Sequence, residues 1–381
     1  MQMYQFKQVE SKKDWKEFIE FPWSIYKGDP NWVPPLRIAV RDVLDINKNP
    51  FFKHAFMHPL LALKDGKCVG RIVGVIDESH NQVHNEKIVF FGFYESINDQ
   101  TLANELLDAV AKWGKSKGMT VLRGPMSPST NHECGLLVKG FDDPPAVMMT
   151  YNPPYYAELF EKYGLTKSMD LLAYEVDHST AKLSEKLLAH AERLRKGASV
   201  TFRPVNMKNF QQEVDTLLEI YNDAWEKNWG FVPMSRDEFQ HMAKDMKAIV
   251  DPELLLIAYV RGEPAGFALA LPDVNQAIHK IKDGKLFPTG LLKLLWHTKG
   301  PFRKKTINRC RIITLGIKQA YRELGIGPLF YTEYYRKGPA LGYPRGEASW
   351  ILESNKPMNK ALENMGSRPN KTYRIYDRPL A

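Results

Sequence analysis

The sequence predicts an α/β (α+β) protein of two tandem domains, each a mixed, mostly antiparallel sheet flanked by helices. Three observations point there. The 381 residues suit two domains better than one. The two halves repeat one order of elements, which marks a duplicated unit. Near the carboxy end an apolar run passes through a glycine-rich turn into a helix, the layout of an anion site. With 44% hydrophobic and 25% charged residues, the composition is that of an ordinary globular protein.

Each half opens on a strand, Phe6-Lys7-Gln8-Val9 in one and Phe202-Arg203-Pro204-Val205 in the other, followed by a helical stretch. At the same offset, Leu61-Ala62 with Gly66 and Gly70 matches Ile257-Ala258 with Gly262 and Gly266. The turns Lys64-Asp65-Gly66-Lys67 and Arg261-Gly262-Glu263-Pro264 then close two hairpins. Phe91-Gly92-Phe93 matches Leu315-Gly316-Ile317 at a larger offset, so the second half has gained a segment between Asp273 and Asn308. Asn152, the helix Tyr155 to Tyr163 and Gly164 match Asn355, the helix Pro357 to Met365 and Gly366 at a smaller one. The first half therefore carries extra residues between its helix Leu102 to Lys117 and Asn152, mostly after the strand Thr120-Val121-Leu122. This order predicts a first domain over 1–178, a connecting helix over 179–198 and a second domain over 199–381.

The glycine-rich turn is Arg322-Glu323-Leu324-Gly325-Ile326-Gly327. It follows the strand Cys310 to Ile317 and precedes a helix over Pro328 to Leu341. Glycines let a backbone approach a phosphate closely, and a helix start offers unpaired N–H groups and the positive end of the macrodipole. Strand, Arg-x-x-Gly-x-Gly and helix in that order resembles the pyrophosphate-binding motif of the GNAT acyltransferase superfamily. The resemblance implies that Arg322, Glu323, Leu324, Gly325, Ile326 and Gly327 grip the diphosphate of an acyl-coenzyme A. It implies too that the strand Ile312 to Ile317 splays from its neighbour to pair with the pantetheine arm. Backbone N–H groups of Leu315, Gly316 and Ile317 would polarise the thioester carbonyl. Asn355, after the strand Ala348 to Glu353, would help hold the pantetheine region. The segment Phe21-Pro22-Trp23 through Asp29-Pro30-Asn31-Trp32-Val33-Pro34-Pro35, with Tyr151-Asn152-Pro153-Pro154-Tyr155-Tyr156, is also similar to an uncharacterised bacterial group of long GNAT-like proteins.

The halves differ at this motif. Where the second has Arg322, Gly325 and Gly327, the first has Asn98, Thr101 and Ala103. Coenzyme A is therefore expected on the second domain alone, with the first holding the acceptor or shaping the cleft. The resemblance implies an acyl-CoA-dependent N-acyltransferase, an N-acetyltransferase in the first instance, with acetyl-CoA or a longer acyl-CoA as co-substrate and a small-molecule or lipid amine as acceptor. Transfer requires an amine without its proton, a polarised carbonyl and a donor for the oxyanion. Glu347 and Glu353 flank the strand Ala348 to Leu352, and their even spacing sets them on one side of it. His132 and Glu133, near the end of the Gly/Pro-rich loop Gly124 to Gly135, are rival proton carriers. Each of the four also has a purely structural reading. Many GNAT enzymes protonate the leaving thiolate with a Tyr four residues before the last glycine; here that position is Leu362, and Phe160 in the first half. Tyr373 or Tyr376 is then the substitute, or the thiolate leaves unprotonated.

The second-half insertion, 285–305, gathers leucines and Trp296 with Lys293 and Lys299 and ends in Arg303-Lys304-Lys305. Such a stretch can lie in a membrane interface, line a tunnel for a long acyl chain, or pack on its own domain. A net charge of +9 fits an anionic ligand, an anionic membrane or a merely basic surface. Without an aromatic-basic RNA motif or a recognition helix, nucleic acid is not expected. Cys68, Cys134 and Cys310 are scattered, which argues against a disulfide framework and a zinc site, and no metal is expected. The start, Met1-Gln2-Met3-Tyr4 with Lys12-Lys13 soon after, has no secretory apolar core, and no run is long enough to cross a bilayer. The expected place is the cytoplasm, peripheral to the inner membrane if 285–305 docks there. Three other readings stay open: a long-chain acyltransferase acting on a lipid amine, similar to some bacterial GNAT-like ceramide synthases; a non-catalytic acyl-CoA sensor; and a Fem-type aminoacyl-tRNA transferase. Oligomeric state leaves no signal in the sequence.

Overall fold

The structure, a computed structural model, describes residues 4–196, 200–300 and 306–380. The basic tail expected at 301–305 lies outside the described residues. Two compact units emerge: Met1–Leu171 with Ile278–Leu291 and Lys371–Ala381, and Leu172–Ala277 with Leu292–Asn370.

In the first unit, β1 (Gln5–Gln8), β2 (Ala55–Lys64), β3 (Lys67–Asp77) and β4 (Ile88–Ser96) pair antiparallel in sequence order. β5 (Val121–Gly124) then joins β4 in parallel. After it come the short strands β6 (Met126–Ser127), β7 (Glu133–Cys134) and β8 (Leu136–Lys139), and the long β9 (Thr166–Asp177), within which the unit boundary falls. The helix Gln100–Ser116 buries Leu102, Leu106, Leu107 and Val110, at successive spacings of four, one and three along its inner stripe, against Phe91 and Phe160.

The second unit repeats the plan. β10 (Val200–Pro204), β11 (Leu255–Val260), β12 (Glu263–Pro272) and β13 (Arg309–Ile317) pair antiparallel, and β14 (Arg345–Leu352) joins β13 in parallel. The duplicated hairpins share one turn geometry. Asp65 and Gly66 have φ of 50° and 74°, and Arg261 and Gly262 have 50° and 88°, the two left-handed residues of a type I′ connection.

The units are not the contiguous halves 1–178 and 199–381. The final strand, β15 (Arg368–Pro379), pairs antiparallel with β5 from Tyr376↔Gly124 to Pro379↔Val121, and with β8 from Thr372↔Lys139. Residues 278–291 also belong to the first unit, where the Trp23 indole donates to the Lys282 carbonyl at 2.8 Å and the Arg37 N–H to that of Gly284 at 3.0 Å. Internal similarity reports which elements recur, not which edge each strand completes. Among the described residues the connecting helix runs from Glu185 to Lys196, starting later than the expected Ser179.

Candidate functional site

The second unit holds a cavity of about 730 Å³ over the parting of two parallel strands. β13 and β14 are in register only from Arg309↔Arg345 to Ile312↔Ala348. Beyond Ile312, β13 continues along β12 alone, with Leu269 opposite Thr314 and Ala270 opposite Ile312. Ile313 is thus an extra, bulged residue, which turns the strand at the fork. Gly316 is required here, since a Cβ would lie 2.1 Å from the Trp225 ring.

After β13 a tight turn, Gln319–Leu324, leads to Gly325, whose φ of +68° is the left-handed region. The helix Gly327–Leu341 then begins at Ile326, an N-cap with no side chain to bond the first-turn amides. That leaves an uncapped helix start with its positive dipole end beside the cavity, suited to an anion. The turn is anchored to the helix Phe210–Trp225: the Gln319 N–H donates to Asp223 Oδ1 at 2.6 Å and Arg322 Nη2 to the Ala224 carbonyl at 2.6 Å. The Arg322 side chain is otherwise exposed, as are Glu323 and Leu324.

Among the residues expected to bind coenzyme A, Leu315, Gly316, Ile317, Arg322, Gly327 and Asn355 line this one cavity. Asn355 also caps the helix Lys356–Asn364, accepting from the Met358 N–H at 3.3 Å. Glu323, Leu324, Gly325 and Ile326 supply the turn itself.

The expected proton carriers are not gathered in the cavity. Glu347 is 1% exposed and accepts from Ser349 Oγ at 2.9 Å. That hydroxyl accepts in turn from Arg311 Nε at 3.0 Å, so Glu347 belongs to a buried polar network. Glu353 lies just past the end of β14, and its carbonyl accepts from Asn359 Nδ2 at 3.4 Å. His132 and Glu133 are in the first unit. His132 Nδ1 sits 2.8 Å from Ser129 Oγ with its ring edge-on to Phe51, and Glu133 is exposed on β7 opposite Ser127. Tyr373 and Tyr376 are buried in the first unit too.

Leu362, at the family's tyrosine position, lines the cavity, and so does Tyr331 from the helix Gly327–Leu341. The Tyr331 hydroxyl donates to the Met358 thioether at 2.5 Å, and burial pushes its phenol up to about 12. Sequence reasoning missed Tyr331, Trp225 and Lys227, all of which line the cavity. Their only signal was position: Tyr331 one turn inside the helix that follows the glycines, Trp225 and Lys227 where the preceding helix ends.

The first unit closes the equivalent features. β4 and β5 pair in parallel from Ile88↔Val121 to Phe90↔Arg123 and then part. β6 fills that gap, with Ser127 Oγ accepting from the Phe93 N–H at 2.9 Å. The start of the helix Gln100–Ser116 is capped by the Asp99 carboxylate, which accepts from the Leu102 N–H at 2.9 Å. A fixed negative charge stands where the second unit leaves its amides open.

Comparison with known proteins agrees with this geometry. No family model matches the sequence. The chain is 37% identical over 379 residues to protein YghO of Escherichia coli (strain K12), covering 97% of this chain and 94% of that protein. It is 38% identical over 379 residues to a bacterial ceramide synthase of Caulobacter vibrioides, covering 98% and 96%. Its fold matches a tandem GNAT protein from the clavulanic acid biosynthesis pathway with a TM-score of 0.56 at 10% identity, covering 99% of each chain. With two curated relatives along nearly its full length, the chain belongs to the family of YghO and the Caulobacter ceramide synthase, and its fold is that of a tandem GNAT protein.

Proposed function

We propose that the protein is an acyl-CoA-dependent N-acyltransferase that binds its thioester in the second unit only. The observation that carries this is the meeting, in one cavity, of strands that part after Ile312↔Ala348 and a helix start left uncapped at Ile326. The diphosphate rests on the amides of Gly325, Ile326 and Gly327, beside Arg322 and Lys227. Glu323 and Leu324 contribute their backbone, and Asn355 borders the pantetheine. The thioester carbonyl meets a backbone N–H of Leu315, Gly316 or Ile317, which stabilises the oxyanion as the amine attacks. The C–S bond then breaks, the sulfur takes the electron pair and a proton, and the amide nitrogen gives one up. Of Glu347, Glu353, His132 and Glu133, the position of Glu353 next to the cavity-lining Ser354 favours it as the carrier, directly or through water.

A finer reading has a long-chain donor and a lipid amine as acceptor. The relative named a bacterial ceramide synthase supports it. So does the helix Gly290–Thr298, which exposes Leu292 (68%), Leu295 (46%) and Trp296 (54%) with Lys293 and Lys299 also exposed, the pattern of an interfacial helix. No helix among the described residues is long and apolar enough to cross a membrane, so contact would be peripheral. An acetyltransferase acting on a small amine is the simpler form of the same chemistry.

Native mass spectrometry with CoA, acetyl-CoA and palmitoyl-CoA tests the donor, and thiol release with panels of small amines and sphingoid-type bases tests the acceptor. Binding of thioesters without release with any amine would turn the reading toward a sensor. Failure of every CoA species to bind would reject it. Flotation with anionic liposomes tests the interfacial helix, and equal recovery of wild type and Leu292→Glu/Leu295→Glu in the lipid fraction would count against docking there.

A further inference from the structure

The connecting helix Glu185–Lys196 precedes the second repeat, yet it packs on the helix Gly327–Leu341 and reaches the glycine turn at that helix's start. His190 makes the contact. A Cβ on Gly325 would lie 2.8 Å from His190 Nε2, 3.5 Å from its Cε1 and 3.8 Å from its Cδ2, so the imidazole presents its Nε2 corner to the turn. The other ring nitrogen is occupied, with Arg193 Nη2 3.0 Å from His190 Nδ1. A guanidinium only donates, so Nδ1 accepts and the ring proton sits on Nε2. Among the described residues no acceptor meets that N–H. Lys186, His190 and Arg193 are spaced four and three apart, which sets them on one face, with Lys186 and Arg193 exposed. Leu187, Ala191 and Leu194, on the adjoining stripe, are buried or half-buried. The helix thus packs by an apolar stripe and carries basic groups beside it.

We propose that the connecting helix is part of the coenzyme A site: His190 Nε2–H donates to a phosphate of the bound thioester, and Arg193 fixes the imidazole in that tautomer while adding positive charge. The inference rests on the acyl-CoA reading above and adds to it a contact from outside the repeated elements. Filling space over a glycine would need only an apolar side chain. An imidazole adds a donor, and it does so beside first-turn amides that no side chain caps and beside the Arg322 guanidinium. Groups that can only donate are satisfied together by an anion, and a phosphate oxygen accepts more than one such bond. The chemistry is the same for the diphosphate of CoA and for its 3′-phosphate, and 3′-dephospho-CoA tells them apart.

The test titrates the full chain calorimetrically with CoA and with 3′-dephospho-CoA. His190→Ala should lower the affinity for CoA by about tenfold to a hundredfold, the ordinary worth of a hydrogen bond to a charged group. His190→Gln, whose amide can place an N–H where Nε2 was, should bind within about threefold of wild type. If the contact is to the diphosphate, His190→Ala weakens both ligands alike. If it is to the 3′-phosphate, dephospho-CoA binds His190→Ala as it binds wild type. A second measurement reads the wild-type ring directly. In protein carrying isotope-labelled histidine, the His190 Nε2 resonance, identified by its absence from His190→Ala, should shift when CoA is added. Unchanged CoA affinity in a folded His190→Ala, a loss that His190→Gln does not recover, or an Nε2 resonance unmoved by CoA would each overturn the contact while leaving acyl-CoA binding intact. Binding of no CoA species by wild type would overturn both.

Discussion

Ile312 and Ala348 are the last residues that β13 and β14 hold in register. Past them the edge of β13 that faced β14 loses its backbone partners. Peptide groups in that position need a ligand or water, because a buried N–H or C=O without a partner costs about 1–3 kcal/mol. The fork is thus a place where main chain, not side chain, is available for binding.

Arg322→Glu should lower CoA affinity by about tenfold to a hundredfold, the worth of a charge-assisted contact of about 1.5–3 kcal/mol. The Arg322 guanidinium is held on the Ala224 carbonyl near the end of the preceding helix, so it is pre-positioned for an anion. Calorimetry with CoA checks the affinity and circular dichroism the fold. Undiminished binding by a folded variant would move the diphosphate elsewhere.

Gly325→Ala should weaken both stability and binding. The residue has φ +68°, and an added Cβ would lie 2.8 Å from His190 Nε2. Left-handed backbone alone costs an L-residue about 1–2 kcal/mol. Denaturant midpoints with and without CoA separate the two effects, and a variant with the wild-type midpoint and affinity would contradict the strained turn.

Gly92→Ala should destabilise the first unit without touching CoA binding in the second. Its Cβ would fall 1.7 Å from the Met126 carbonyl oxygen, which fills the gap between β4 and β5. Overpacking of this kind costs about 1–3 kcal/mol, and here the obstacle is backbone. Hydrogen exchange resolved by peptide should show the loss in β4 to β6. Protection equal to wild type would mean the gap is looser than described.

Glu95→Gln should flatten a pH dependence of stability. Glu95 is buried beside Arg71 and accepts from the hydroxyls of Tyr26 at 2.9 Å and Tyr156 at 2.8 Å. Burial is the largest influence and raises its pKa above the ordinary glutamate value, against the pull of Arg71 and the two phenols. The folded chain then binds this proton more readily than the unfolded one. Its contribution is complete below the ordinary value and declines as pH rises through the raised one. Urea titrations from pH 4 upward should show a falling trend in wild type that is smaller in Glu95→Gln, and parallel curves would count against it.

Much of this was legible in the sequence because it is local. The hairpins announced themselves through Asp65-Gly66 and Arg261-Gly262, and the turn between strand and helix through Gly325 and Gly327, since each needs particular residues at adjacent positions. What was not legible depends on distant pairing. Nothing in Tyr376 signals that it will lie opposite Gly124, and nothing in Lys282 that its carbonyl will receive the Trp23 indole. Glu347 and Glu353 were expected to flank a strand from Ala348 to Leu352, but the strand begins at Arg345, so Glu347 lies inside it and buried while Glu353 lies just past its end. Tyr331 escaped notice because a tyrosine inside a helix reads as core, and only the fold shows that it lines the cavity.

Because β15 supplies the strand that β5 and β8 pair with, the amino-terminal unit is completed by a strand synthesised only after the other strands of the second unit. Nascent chains must hold that edge open throughout synthesis. A premature stop ahead of Arg368 would therefore spoil the unit made first.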